Sequence, residues 1–204
     1  MVKELVENAV DAEASRIEVE LEDGGERLIR VSDNGIGMAP DDLTMAVESH
    51  ATSKLTDYDD LFSITTLGFR GEALPSMGAV AELHIASWLR GSDAGAQIDV
   101  VGGKIGQVKV TGVPEGTIME VRNLFFNIPA RRKFLKTSST EISHTVDIIT
   151  KMALSCPSVS FKLVHNGRDV LNCLPNEDRT RRMANFFGAD SLQPDPEAAG
   201  IGRA

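Results

Sequence analysis

Over residues 2–12 apolar and polar positions recur at helical spacing. At about 100° per residue, Leu5, Val6, Ala9 and Val10 fall on one side, and Glu4, Glu7, Asn8 and Asp11 make a contiguous polar stripe on another. Met1-Val2-Lys3 offers no Ser, Thr, Asp or Asn cap, so the pattern predicts a chain that starts inside a helix longer in the intact protein. The period then changes to two. Ile17, Val19 and Leu21 alternate with Arg16, Glu18 and Glu20, as a half-buried strand requires. Asp23-Gly24-Gly25 turns the chain and Leu28 to Val31 returns it, which predicts a β-hairpin. Pro40 suits the first turn of a second helix, continued by Leu43, Val47 and His50.

Residues 51–78 lose both periods and are rich in small and polar residues. So long an irregular stretch in a compact domain is either a functional lid or disordered. Thr52-Ser53-Lys54 and Gly68-Phe69-Arg70-Gly71 favour a lid, followed by a short helix from about Gly71. Backbone N–H groups in such a loop, and at the helix start, can hold phosphate oxygens.

Beyond this stretch the pattern is mostly β. Leu83, Ile85 and Ser87 alternate, and Ile98 and Val100 lead through Gly102-Gly103 to Ile105, Val108 and Val110. Gly116-Thr117 opens another strand through Met119 and Val121. Ser138 and Glu141 form a capping-box pattern for a helix burying Ile142, Val146, Ile149, Ala153 and Cys156, which Pro157 ends. A final hairpin turns at Asn166-Gly167, between Phe161–Leu163 and Val170–Leu171. A short helix to Phe187 with Gly188 as its cap closes one domain over 1–188, and the aperiodic 189–204 is expected to be a linker or the start of a following domain. Hairpins in series with helices between them predict an α+β fold, a two-layer sandwich; regular βαβ units, and hence a Rossmann sheet, are missing.

Composition places the 204-residue chain among ordinary globular proteins, with 42% hydrophobic and 25% charged residues. No apolar run approaches the ~20 residues that span a bilayer, and the N-terminus lacks the layout of a signal peptide. Cys156 and Cys173 lack metal-ligand spacing and read as free thiols in a reducing, cytoplasmic setting. The net charge of −9 argues against strong generic nucleic-acid binding. It is uneven, however: residues 1–60 carry 16 acids and 5 bases, whereas 131–182 carry 5 acids and 10 bases. That basic excess could face a phosphate backbone or be a solvated surface.

Candidate chemistry centres on Asp33-Asn34-Gly35-Ile36-Gly37-Met38, where a carboxylate ends an apolar run and two glycines follow at alternate positions. The segment reads either as an ordinary Asn-Gly turn or as a site where close-lying backbone and a fixed carboxylate receive an exocyclic amine. Glu4 and Asn8 upstream, Thr52-Ser53-Lys54 and Gly68-Phe69-Arg70-Gly71-Glu72-Ala73-Leu74 downstream complete an ordered set. No Gly-x-x-x-x-Gly-Lys-Ser/Thr loop occurs, which excludes a Walker-type ATPase. No second histidine lies at metal spacing from His50.

This set resembles the ATP site shared by gyrase-type topoisomerases, sensor histidine kinases and MutL. The loop Gly68 to Leu74 and the string Pro129-Ala130-Arg131-Arg132-Lys133-Phe134-Leu135 narrow the resemblance to the MutL family of DNA mismatch repair proteins, over Met1 to about Arg182. The resemblance implies a mixed, mostly antiparallel sheet with helices on one face, and ATP between helices and lid. It implies that Glu4 is the general base, Asn8 the ligand to Mg²⁺, and Asp33 the reader of the adenine amine. Gly35 and Gly37 then shape the floor under the base, and Thr117 lies near the adenine. Thr52, Ser53 and Lys54 match a first lid element; Gly68, Phe69, Arg70, Gly71, Glu72, Ala73 and Leu74 match the phosphate-covering loop. Arg131, Arg132 and Lys133 belong to the family signature without an assigned chemistry.

The implied partners are a MutS-type mismatch recognition protein, a downstream endonuclease or helicase, and DNA bound weakly and without sequence preference. Homodimers are implied for the intact protein, and a monomer for a chain lacking the family's N-terminal arm and following domains. Two departures bear on backbone geometry: Glu13 stands where the family usually has glycine, and Pro75 where it often has alanine. A histidine kinase-type domain and a nucleotide-binding scaffold without turnover are the alternative readings. A histidine kinase is expected to need a phosphoacceptor helix before such a domain, and Glu4 and Asn8, both in place, suit hydrolysis.

Overall fold

The computed structural model describes residues 1–48, 72–175, 182 and 186. Helix α1 (Val2–Asp11) leads into the hairpin β1 (Arg16–Glu22) and β2 (Leu28–Asp33), joined through a single 3₁₀ turn at Asp23–Gly25. Helices α2 (Pro40–Val47) and α3 (Ala73–Val80) precede β3 (Glu82–Trp88) and β4 (Gly95–Val101). Two short edge pieces, β5 (Lys104–Ile105) and β6 (Lys109–Thr111), lie along β4 before β7 (Gly116–Arg122). Then come α4 (Pro129–Arg132), α5 (Ser138–Ser155) and the hairpin β8 (Ser160–His165) and β9 (Arg168–Cys173).

Among the described residues the strands form one sheet in the order β5-β4-β3-β7-β2-β1-β8-β9, with β6 also on β4. Every pair is antiparallel except β1 with β8, which run parallel; α5 carries the chain from β7 across the sheet to β8. Alternation puts Ile17, Val19, Leu21, Ile29, Val31, Leu83, Ile85, Ile98, Val100, Val121, Phe161 and Leu163 into the core. There they meet Leu5, Val6 and Ala9 of α1, Leu43 and Val47 of α2, Met77 of α3 and Ile149 and Ala153 of α5. One face of the sheet is thus covered by helices, the two-layer α+β arrangement that the hairpins predicted.

The opposite face carries ion pairs that run from strand to strand. Arg30 of β2 bridges Glu20 of β1 and Glu120 of β7, both at 2.7 Å, and Arg122 also reaches Glu120 at 2.8 Å. Burial alone would raise the Glu120 carboxyl, but the two guanidiniums outweigh it and hold the group below the usual carboxylate range.

Several local readings change. Glu7 is buried rather than part of an open stripe, and Lys3 one turn earlier pairs with it at 3.0 Å. The cap of α5 is Thr137, whose hydroxyl accepts from Thr140 N–H, while Glu141 reaches back to Lys136 N–H at 3.2 Å. Helix α3 begins at Ala73, close to the start expected at about Gly71. Pro75 is its third residue, where no intrahelical N–H bond is lost, so proline fits without strain. Glu13 takes φ +58°, the left-handed conformation that glycine adopts without penalty.

Asn166 and Gly167 take φ +49° and +73°, the type I′ geometry that suits a two-residue hairpin. The Asn166 side chain accepts from Asp23 N–H and so ties this turn to the β1–β2 turn. Arg182 is fully buried. Its guanidinium donates to the carbonyls of Ala153 at 2.6 Å and Cys156 at 3.2 Å, at the end of α5, and to those of Val159 and Leu174. A cation at a helix C-terminus satisfies carbonyls that have no intrahelical partner. Helix α2 ends at Val47, where Glu48 turns extended, short of the expected continuation to His50. The expected helix to Phe187 with its Gly188 cap, His50 itself and the tail 189–204 lie outside the described residues.

Candidate functional site

Pairing across three strands brings together groups that are far apart in sequence. Register aligns Asp33 of β2 with Thr117 of β7, and Thr117 with Ser87 of β3. Val31, Met119 and Ile85, two residues away on the same strands, are buried in the core. Asp33, Thr117 and Ser87 therefore form a row on the helix-covered face, at its end.

The row is wired together. Asp33 Oδ1 accepts from Gly35 N–H at 2.8 Å, and the carboxylate also accepts from the backbone N–H of Thr117. Burial pushes the Asp33 carboxyl up to about 6, and these two backbone donors offset only part of that rise. Ser87 Oγ lies 2.9 Å from Thr117 Oγ1, donates to the Gly116 carbonyl at 2.9 Å and accepts from Met38 N–H at 2.8 Å.

The loop from Asn34 to Met38 is pinned on both sides. Ile36 N–H donates to the Ala12 carbonyl at the end of α1, and Arg90 N–H, just after β3, donates to the Ile36 carbonyl, both at 2.9 Å. Asn34 accepts from Ser15 and Arg16 N–H at 3.0 and 2.8 Å and so closes the connection from α1 to β1. The glycines permit this approach. A Cβ at Gly35 would stand 2.5 Å from the Ala12 oxygen, and one at Gly37, where φ is +74°, would stand 2.1 Å from the Trp88 oxygen. The Asn-Gly segment is thus more than a surface turn: backbone crowding from two other elements demands both glycines.

Helix α1 reaches the same place. Ala12 N–H donates to the Asn8 carbonyl and the Ala12 carbonyl receives Ile36 N–H, so Asn8 stands one turn from the Asp33 loop. Glu4 lies one turn further back, and both side chains are half-buried beside core residues Leu5, Val6 and Ala9. Among the described residues no cluster of three His, Cys, Asp or Glu could hold a metal ion.

At the other boundary, Glu72 is exposed at the start of α3, Ala73 is half-buried and Leu74 packs in the core with Met77. The Leu74 side chain is structural, leaving its backbone for any phosphate contact. Thr52, Ser53, Lys54, Gly68, Phe69, Arg70 and Gly71 lie outside the described residues.

A row of hydrogen-bonding groups under a glycine-shaped loop, with a helix bearing carboxylate and carboxamide beside it, is an arrangement for a ligand with an amine at one end. The family described as histidine kinase-, DNA gyrase B- and HSP90-like ATPases matches residues 1–121. The chain belongs to that ATPase family. It is 49% identical to the DNA mismatch repair protein MutL of Syntrophotalea carbinolica over 193 residues, which are 95% of this chain and 31% of that protein. It is 50% identical to MutL of Acidobacterium capsulatum over 192 residues, 94% of this chain and 29% of that one.

Among solved structures, the ATPase domain of Aquifex aeolicus MutL complexed with ADP matches with a TM-score of 0.72 at 36% identity, covering 91% of this chain and 66% of that one. The N-terminal domain of a DNA repair protein matches with a TM-score of 0.77 at 29% identity, covering 94% and 56% of the two chains. The chain spans about a third of the length of the curated relatives it matches. The fold, the family and an ATPase domain of the MutL type stand as the sequence motifs implied.

Four residues of the site went unremarked in the sequence as members of it: Ser87, Gly116, Ala12 and Arg90. Gly116 was read only as a strand opening, and Ser87 left a trace as a serine at a position where Leu83 and Ile85 had set an inward phase.

Proposed function

We propose that this chain binds ATP with the adenine at the Asp33–Thr117 row and the phosphates toward Asn8 and the loop before α3, and that it hydrolyses ATP. The observation that carries the reading is the Asp33 carboxylate. It is desolvated, held by two backbone N–H groups and aligned with a buried threonine hydroxyl, as an acceptor for an exocyclic amine should be. Gly35 and Gly37 keep the loop against the protein and leave the floor of the pocket flat for a base.

In this reading Glu4 orients and deprotonates the attacking water, and Asn8, one helical turn away, faces the triphosphate. The Asn8 carboxamide oxygen is a hard donor suited to Mg²⁺, which takes one or two protein oxygens and completes its shell with phosphate and water. When bound, the ion would neutralise charge on the phosphates. Thr52, Ser53, Lys54, Gly68, Phe69, Arg70 and Gly71, with Glu72, Ala73 and Leu74, are proposed to close over the phosphates.

The wider role proposed is that of a nucleotide-driven switch in DNA mismatch repair, between a MutS-type recognition protein and a downstream endonuclease or helicase, as part of a homodimer in the cytoplasm. No helix among the described residues is long and apolar enough to cross a membrane. Direct DNA contact by this chain is expected to be weak, sequence-independent and steeply salt-sensitive, since its net charge is −9.

Calorimetric titration of the parent chain and of Asp33→Asn with ATP and GTP tests the pocket. The parent should prefer ATP, and Asp33→Asn should weaken ATP binding at least tenfold and narrow the preference. Equal ATP affinities for both chains would remove Asp33 from the base pocket.

A further inference from the structure

Ser87 makes three hydrogen bonds, and the chemistry of two partners dictates the sense of the third. A serine hydroxyl has one proton and two lone pairs. Met38 N–H can only donate, so it takes one lone pair of Ser87 Oγ at 2.8 Å. The Gly116 carbonyl can only accept, so it takes the single Ser87 proton at 2.9 Å. The contact of 2.9 Å between Ser87 Oγ and Thr117 Oγ1 then has one arrangement left: the Thr117 hydroxyl donates to Ser87.

Thr117 consequently presents lone pairs, and no proton, to whatever lies beside it. Both residues are buried, Ser87 completely and Thr117 to 5% residual exposure, so the pair is shielded from bulk solvent. Beside Thr117 in register stands the Asp33 carboxylate, a second pure acceptor when ionised.

We propose that Ser87 is a positioning and specificity residue: by holding the Thr117 proton it makes the base pocket select a purine with an exocyclic amine over one with a carbonyl at the same ring position. This rests on the reading of Asp33 and Thr117 as the adenine end of the site. An amino group offers two hydrogens, which match two fixed acceptors. A purine carbonyl brings a third acceptor to the same place. Thr117 could meet it only by rotating its proton away from Ser87, which would leave a buried lone pair of Ser87 without its partner. Removing the Ser87 hydroxyl abolishes that penalty and frees Thr117 to donate.

The test is the ratio of dissociation constants for ADP and inosine diphosphate, measured by calorimetry on the whole 204-residue chain. Ser87→Ala is expected to lower the preference for ADP roughly five- to tenfold, the worth of one buried hydrogen bond. Part of that loss should be a gain in inosine diphosphate affinity, which a merely structural role would not produce. In a Thr117→Val background, Ser87→Ala should leave the ratio unchanged, because Ser87 acts through the threonine. A folded Ser87→Ala chain with the parental ratio, or with both ligands weakened equally, overturns the proposal. If Ser87→Ala does not fold, Ser87→Cys fills the site with a slightly larger sulfur that accepts hydrogen bonds poorly, and should show the same drop; the parental ratio there overturns the proposal equally. Asp33→Asn separates the two levels. An unchanged ADP affinity in that variant removes the pocket itself, whereas weakened ADP binding with an unchanged ratio in Ser87→Ala removes only the role of Ser87.

Discussion

Asp33 titrates near 6 in the folded chain, against an ordinary carboxylate value near 4 in the unfolded one. Between those values the folded state binds the extra proton, so raising the pH through this window destabilises the fold, and the stabilisation is complete only below about 4. A shift of two units corresponds to roughly 2–3 kcal/mol. The ligand-free Asp33→Asn chain, in which residue 33 is uncharged at every pH, should match the parent near pH 4 and exceed its stability by that amount above pH 7. Urea unfolding of both chains across this range checks it; parallel curves would mean that Asp33 is not desolvated. The same protonation should weaken ADP binding by the parent as pH falls below about 6. A residue that costs the empty fold stability and is kept for its acceptor is the signature of a binding group.

At the scale of elements, two places carry stability that can be read from single side chains. Glu13 sits at φ +58° between α1 and β1, and a side chain in that region costs about 1–2 kcal/mol. Glu13→Gly should therefore raise stability by about 0.5–1 kcal/mol after the added freedom of the unfolded glycine is counted. A lower melting temperature would contradict the strain. Arg182 holds the end of α5 to the β8–β9 hairpin through four carbonyls. Arg182→Ala leaves them buried and should cost about 3 kcal/mol or more, read by denaturant midpoint.

Much at this scale was legible beforehand. Period-two runs located β1, β2, β3, β4, β7 and β8, and Asn166-Gly167 announced its turn. The α5 cap came out one residue late because Thr137 and Ser138 are adjacent hydroxyls, each followed by a serviceable Glu141. Glu7 was misassigned because periodicity reports only an angle around the helix, and the helical stripe at Glu7 borders the apolar side closely enough to be covered. The four-residue α4 is shorter than any window over which period can be measured. No local pattern marks Arg182 as buried; its partners are carbonyls of elements that meet only in the folded chain.

For the whole molecule, the sequence shows hairpins but not how they are ordered. Nothing local indicates that β7 inserts between β2 and β3, or that β8 returns parallel to β1. The first of these pairings builds the site, because it sets Thr117 between Asp33 and Ser87. This is why Asp33, Gly35 and Gly37 drew notice from their own spacing, with an ordinary turn still open, while the roles expected of Asp33, Glu4, Asn8 and Thr117 came from the family motifs and Ser87 was given none.

The central claim is that the Asp33 row holds adenine while Glu4, two turns before Ala12 on α1, acts on the far end of the same nucleotide. Glu4→Ala separates these functions most directly. With the chain in molar excess over labelled ATP, so that a single slow turnover is seen, hydrolysis by Glu4→Ala should fall roughly 10²–10⁴-fold, while its calorimetric affinity for ATP stays within about twofold of the parent. Hydrolysis near the parental rate, or loss of binding in step with loss of hydrolysis, would contradict the account.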